Sequence, residues 1–256
     1  MNILDKIVAN KRKEVAERKL LLPISKMIFE PKKSLSLKQA LLCSSSGIIA
    51  EFKRKSPSKG WIHQDANIVR VVGGYSENGA TGISCLTDFQ YFGGTNEDFL
   101  QARKVSACPM LRKDFVIDEY QLYEAKMIGA DVVLLIAAAL TKAEVKRFTL
   151  LAHQLGLEVL LEIHNEQELD WICDEVDLVG VNNRNLKTFV TDVQISIDLA
   201  SKIPAEFVKI SESGISSVET VRRLRTFGFQ GFLMGENFMK NTQPEEALRQ
   251  FVNALN

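Results

Sequence analysis

Residues 131–164, DVVLLIAAALTKAEVKRFTLLAHQLGLEVLLEIH, decide how the chain folds. Asp131–Ala137 (DVVLLIA) and Leu157–His164 (LEVLLEIH) are short runs rich in Val, Leu and Ile, the pattern of strands covered on both faces. Between them Ala143–Leu155 is amphipathic. Thr141 and Glu144 precede and open it at capping-box spacing, and Gly156 stands where a helix C′ glycine is expected. The stretch therefore reads as one strand–helix–strand crossover of a parallel sheet.

The same unit recurs outward in both directions. Gly47–Arg54, Gly82–Asp88, Pro109–Phe115, Leu178–Arg184, Phe207–Gly214 and Gly231–Asn237 are six more apolar segments, which brings the strands to eight. Glu119–Ile128 is a further amphipathic stretch, and Asn165 with Glu168 and Ser216 with Glu219 repeat the capping spacing. Gly79, Gly129, Gly156 and Gly228 each precede a new strand, with gaps of 50, 27 and 72 that match two, one and three units of about 25 residues. Eight such units predict an α/β fold, a single (β/α)8 barrel over residues 47–256. A doubly wound open sheet is the rival, but it calls for a Gly-rich turn after its first strand, and that position reads KRKSPSKG. Residues 1–46 are an N-terminal helical extension. Ile3, Leu4, Ile7 and Val8 form one apolar stripe and Ser36–Cys43 a second short helix, placed to cover one mouth of the barrel or to overhang the site.

Composition narrows the function. The 256 residues hold 32 Lys and Arg against 32 Asp and Glu, so no overall field attracts nucleic acid or an anionic membrane. The longest apolar run, Val132–Leu140, is too short to span a bilayer, and the opening MNILDKIVANKRKEV lacks the apolar core of a secretory signal. Cys43, Cys85, Cys108 and Cys173 form no CxxC pair and lie far in sequence from His63, His153 and His164, which argues against structural zinc. A cytoplasmic location is expected.

Barrel enzymes place their chemistry at the C-terminal ends of the strands. Here strand one ends Glu51-Phe52-Lys53, with both charges on one face by alternation. Strand three ends Arg112-Lys113-Asp114-Phe115, strand five carries Glu162 after Leu160-Leu161, and strand six ends Asn182-Asn183-Arg184. Strand seven ends Ser211-Glu212-Ser213-Gly214 and strand eight Gly235-Glu236. Any one of these charges reads equally well as half of a structural ion pair, such as Glu51 with Lys53 or Lys113 with Glu162. Four of them from three strands at one end favour acid–base catalysis, because close Lys and Glu groups tune each other toward neutral pH. Ser213-Gly214 and Gly235 are either plain turn glycines or, paired in the last two units, a phosphate cradle. Ser56-Pro57-Ser58-Lys59-Gly60 and Arg184 have the chemistry to hold an anion, and His164 a supporting place near Glu162. Across the strand-end segments nine cations stand against five anions, and although alternation turns some of those cations toward the helices, the excess predicts a locally positive mouth.

These motifs resemble the indole-3-glycerol-phosphate synthase family. The likeness rests on Glu51-Phe52-Lys53-Arg54-Lys55-Ser56-Pro57-Ser58-Lys59-Gly60, Ser84-Cys85-Leu86-Thr87-Asp88 and Phe92-Gly93-Gly94. It continues through Leu111-Arg112-Lys113-Asp114-Phe115, Leu161-Glu162-Ile163-His164, Gly180-Val181-Asn182-Asn183-Arg184, Glu212-Ser213-Gly214-Ile215 and Gly235-Glu236. It runs from about residue 3 to about residue 250. The resemblance implies cofactor-free conversion of a phosphosugar, 1-(2-carboxyphenylamino)-1-deoxyribulose 5-phosphate, to indole-3-glycerol phosphate, carbon dioxide and water. It implies Lys113 as general acid and Glu162 as general base. Glu51, Lys53 and Asn182 match orienting or electrostatic residues, and the division of acid roles between Lys53 and Lys113 stays open. Ser213, Gly214, Gly235 and the backbone of Glu236 match the phosphate site. Ser56, Pro57, Phe92, Phe115, Arg184 and Leu233 match the pocket of the anthranilate ring and its carboxylate, with Glu212 among the substrate-binding positions. Residue 236 is Glu where some members have Ser, so its side chain is expected to point away from phosphate. Trp61 has no assigned role. One barrel and its N-terminal helices take up all 256 residues, so a monofunctional chain is expected, and a monomer, with other tryptophan-pathway enzymes as the partners to consider. The competing readings are a phosphoribosylanthranilate isomerase, an aldolase using Lys113 as a Schiff-base amine, and a catalytically silent phosphate-binding barrel.

Overall fold

In the computed structural model, which describes residues 3–29, 34–186 and 188–255, residues 131–164 fold as the crossover that their pattern predicts. Thr141 caps the helix Lys142–Gln154: its hydroxyl accepts from the Glu144 N–H at 3.2 Å while the Glu144 carboxylate accepts from the Thr141 N–H at 2.8 Å. Gly156 ends it in the left-handed conformation (φ 70°), as Gly79, Gly129 and Gly228 do in their own units. The barrel strands are β1 (Ile48–Phe52), β2 (Gly82–Leu86), β3 (Met110–Lys113), β4 (Val132–Ile136), β5 (Glu158–Ile163), β6 (Leu178–Asn182), β7 (Val208–Glu212) and β8 (Phe229–Met234). All pair in parallel with their chain neighbours, and β8 closes on β1 through Ile48 and Phe232. The eight-stranded barrel replaces the open-sheet alternative.

Alternation divides each strand between two cores. Val159, Leu161 and Ile163 of β5 pack outward with Val145, Phe148 and Ala152 of the preceding helix. Leu160 points inward to a separate cluster with Leu111, Leu134 and Leu178. The strands are shorter than the apolar runs suggest, because Arg54, Asp88, Arg184 and Gly214 lie past the last ladder pair. β8 starts two residues earlier than its run. Its bulge at Gln230, whose amide oxygen accepts from the Lys209 N–H at 2.9 Å, breaks the apolar pattern there.

The N-terminal extension covers both mouths. Leu37 and Leu41 of helix α2 (Leu37–Cys43) join the inner cluster and plug the N-terminal end, where Glu158 accepts from the Leu37 and Lys38 N–H groups at 2.8 and 3.1 Å. Helix α1 (Ile3–Leu21) crosses the opposite, C-terminal mouth. Lys11 anchors it there, wholly buried, with Glu14, Asp88 and Asp114 at 2.9, 3.0 and 2.9 Å. No helix among the described residues is long and apolar enough to cross a membrane.

Candidate active site

At the C-terminal mouth a cavity of about 620 Å³ opens beneath α1. Its lining takes in every position singled out in the sequence as catalytic, substrate-binding or phosphate-binding, from Glu51 on β1 to Glu236 after β8. Parallel pairing explains the convergence. Glu162 sits in register with Gly180 and Ile136, Asn182 with Glu212, and Leu86 with Lys113, so the strand ends lie at one level.

Lys113 stands at the centre. Its ammonium donates to Glu162 Oε2 at 2.6 Å and lies 3.0 Å from Glu212 Oε2. Asn182 Nδ2 donates to Glu162 Oε1 at 3.2 Å. Burial alone would push the Glu162 carboxyl up, but the Lys113 ammonium and His164 outweigh it and hold it well below the usual carboxylate range. Burial lowers the Lys113 ammonium, yet Glu162, Glu212 and Glu51 together raise it above the ordinary lysine value. Glu212 pays the remaining repulsion: burial and the Glu162 charge outweigh Lys113 and lift its carboxyl to about 7. Its Oε1 is buried without a hydrogen bond. Gly180 makes room for that oxygen, since a Cβ there would come within 2.4 Å of it.

A second pair lies on β1, where Lys53 donates to Glu51 Oε1 at 2.5 Å and Ser84 to Oε2 at 3.4 Å. The two ion pairs open to either reading from sequence thus both form, and both face the cavity. Phe92 and Phe115 make an aromatic wall, ring centroids 6.0 Å apart, and Leu134, Ile136 and Leu233 supply apolar floor. Arg184 bridges the strand-six end to the Ser56–Gly60 loop, donating to Ser58 Oγ at 2.9 Å. Ser213 and Gly214 are both left-handed (φ 66° and 76°), which turns the chain sharply beside Gly235 and Glu236. Strain is therefore stored at Ser213, a non-glycine residue. The following helix is capped by Ser217 rather than Ser216, because it is Ser217 Oγ that meets the Thr220 N–H at 3.2 Å. The Glu236 carboxylate lies 3.8 Å from Lys59 and 3.9 Å from Arg184.

One expectation changes. Among the described residues the mouth is balanced rather than positive: Lys53, Lys59, Lys113, Arg184 and Lys240 line it, against Glu51, Asp114, Glu162, Glu212 and Glu236. Alternation sends the other cations outward, Arg54 onto Asp98 at 2.8 and 2.9 Å, Arg112 into a buried network behind β3, and Lys209 to the Ala200 carbonyl at 2.9 Å. Lys187 lies outside the described residues. Trp61 packs outside the cavity, beneath the Lys55 ammonium 5.5 Å from its ring and against Gly93. The lining without a role from sequence includes Ile3, Leu4 and Ile7 of α1, expected only to cover a mouth or overhang the site, and Leu134, Ile136, Phe189 and Lys240. Among these the α1 stripe carried a signal in its apolar spacing.

A sequence model described as Indole-3-glycerol phosphate synthase matches residues 4–251. A curated indole-3-glycerol phosphate synthase of Bacteroides thetaiotaomicron is 53% identical over 99% of both chains. The one from Alkaliphilus metalliredigens is 41% identical over 99% of both. A chain in the crystal structure of the tryptophan synthase complex from Pyrococcus furiosus shares the fold alone, with TM-score 0.61 and 18% identity over 82% of this chain and 97% of that one. The chain belongs to the indole-3-glycerol phosphate synthase family, carboxy-lyases of tryptophan biosynthesis.

Proposed function

We propose that the cavity closes the indole ring of 1-(2-carboxyphenylamino)-1-deoxyribulose 5-phosphate with Lys113 as general acid and Glu162 as general base. One observation carries this reading: a single ammonium lies between two buried carboxylates, 2.6 and 3.0 Å away, on the floor of a cavity with an aromatic wall. Ring closure joins the carboxylate-bearing ring carbon to the ketose carbonyl carbon, and the carbonyl oxygen must gain a proton as the bond forms. Lys113 is charged and positioned to give it. The carboxylate then leaves as carbon dioxide and the ring regains aromaticity. The apolar wall of Phe92 and Phe115 supports that step by excluding water from the departing charge.

Dehydration needs a proton delivered to the leaving hydroxyl and another removed from the neighbouring carbon. Glu162 is ionised, freed of Lys113 once that ammonium turns to substrate, and so suited to remove it. Glu51, Lys53 and Asn182 orient the reacting groups, and Glu212 lies on the substrate side of Lys113, holding its ammonium. Ser213, Gly214, Gly235 and the backbone of Glu236 hold the phosphate, with Lys53 near. Ser56, Pro57, Arg184 and Leu233 complete the anthranilate side. The balance of charges round the mouth supports local recognition of phosphate and carboxylate over long-range steering.

The test is to mix purified protein with the carboxyphenylamino-deoxyribulose phosphate and follow indole fluorescence. Product formation that falls steeply in Glu162→Gln is expected. No signal across neutral pH overturns the function, and wild-type turnover in both Lys113→Ala and Glu162→Gln overturns the roles. Borohydride trapping of a Lys113 adduct would favour the aldolase instead.

A further inference from the structure

His164 stands two residues beyond Glu162, and its side chain is only 9% exposed. It does not line the cavity. Its ring lies between two carboxylates. Nε2 is buried and makes an ion-pair contact with Glu162 Oε1 at 3.2 Å without the alignment of a hydrogen bond, while Nδ1 is hydrogen-bonded at 3.2 Å to Oε2 of Glu168 in the 3₁₀ turn Glu166–Trp171. Glu168 is fixed in turn: Oε2 accepts from the His164 N–H at 2.8 Å, and Oε1 from Asn165 Nδ2 at 2.7 Å. The Asn165–Glu168 spacing thus caps a 3₁₀ turn and also aims a carboxylate at the histidine.

We propose that His164 is a positioning residue for the general base, an imidazolium shared between Glu168 and Glu162 that pins the Glu162 carboxylate and keeps it ionised when Lys113 turns to the substrate. The two cations reach Glu162 from different strands and on different oxygens, Lys113 from β3 on Oε2 and His164 from β5 on Oε1. Lys113 is the acid and must leave Glu162 to act. A carboxylate this buried would then take up a proton near neutral pH, unless a second charge stays behind. His164 cannot leave, because Glu168 holds its far side. Burial opposes the charged ring, but the two carboxylates overcome it and raise the imidazolium to about 9, so the charge persists through the working range.

This inference rests on Glu162 being the base, and the experiment separates the two. The kcat–pH profile of His164→Gln, which reports groups in the substrate complex, is expected to show its acidic limb moved up by about one pH unit, with little change in KM. Glu168→Gln, which leaves the ring in place, should move the limb the same way by less, and the His164 ring resonances should then titrate below the wild-type value. Thermal melts identify a variant that fails to fold, and the other then carries the test. If Glu162→Gln retains turnover, the base assignment falls. If Glu162→Gln is inactive but the acidic limb stays put in both His164→Gln and Glu168→Gln, only this inference is overturned.

Discussion

Two buried lysines, Lys11 and Lys113, meet the same chemistry and serve opposite ends. Lys11 on α1 is wholly enclosed, with Glu14, Asp88 and Asp114 within 3.0 Å. Behind it the charges continue through Arg112 to Glu124 and from Glu124 to Arg18, 3.0 Å apart. Lys113 meets two carboxylates at similar distances but is 13% exposed to a cavity. The sequence neighbours Lys113 and Asp114 belong one to each network, Lys113 meeting Glu162 and Glu212 and Asp114, just past β3, meeting Lys11 and Arg112. In the closed network every charge has an ion-pair partner, although Lys11 Nζ makes no hydrogen bond, and the network fixes where α1 lies. The open one leaves Glu212 with an unsatisfied oxygen and a carboxyl lifted to about 7, a local conflict of the kind expected where a substrate completes the site.

The largest effects should separate the two lysines. Lys113→Ala is expected to lower kcat/KM by about 10³-fold or more, the loss of a general acid, with the thermal midpoint nearly kept because Glu212 is ready to take a proton in its place. Lys11→Met should do the reverse. It strands Asp88 and Asp114 as buried charges and should cost about 3–5 kcal/mol of unfolding free energy in urea melts. Turnover per folded molecule should fall far less, through a looser α1 over Ile3, Leu4 and Ile7. If Lys113→Ala unfolds the protein while Lys11→Met spares its stability, the contrast between the two networks is broken.

How much of this contrast was legible in the sequence depends on range. The strands were plain, because eight runs buried on both faces need no partner to be recognised. The cavity residues followed from one rule, that polar groups ending such runs share a mouth. Pairings across strands were not legible. Lys11 sits in the segment ANKRKEV, which reads as a solvated helix face, and nothing local tells that two carboxylates from other units bury it. The α1 stripe of Ile3, Leu4 and Ile7 was visible, but its choice of mouth depends on that anchor. The predicted positive mouth failed for a related reason. Alternation was expected to turn some of those cations toward the helices, but a count over segments does not say how many, and the outward ones, such as Arg112, find anions of their own. Likewise His164 was placed on the right face but not under Glu168, which the turn after β5 brings back.

The networks also differ in how stability responds to pH, a smaller effect. In the closed one, burial raises the Asp114 carboxyl but Lys11 and Arg112 more than reverse this and hold it well below its unfolded value. Its contribution is therefore complete above the unfolded carboxylate range, about 4, and is lost only as pH falls below it. Lys11, raised above its unfolded value by Asp114, Asp88 and Glu14 against burial, contributes fully below about 10 and is lost above. Between those limits the closed network is flat. Glu212 has the opposite sign from Asp114: its folded value is raised, so its contribution is present below about 4 and is lost as pH rises through about 7. Urea melts from pH 5 to 8 should thus show the wild type weakening more than Glu212→Gln, which keeps only the fall above about 6.5 that His164, raised to about 9, contributes. The difference is about 2 kcal/mol at the alkaline end, for a shift of more than one pKa unit. Lys11→Met should keep the wild-type slope in that range and lose part of the fall below pH 4. A wild-type curve no steeper than that of Glu212→Gln from pH 5 to 8 would mean that Glu212 is already ionised beside Lys113. The open network would then be as fully paired as the closed one, and only its access to the cavity would set it apart.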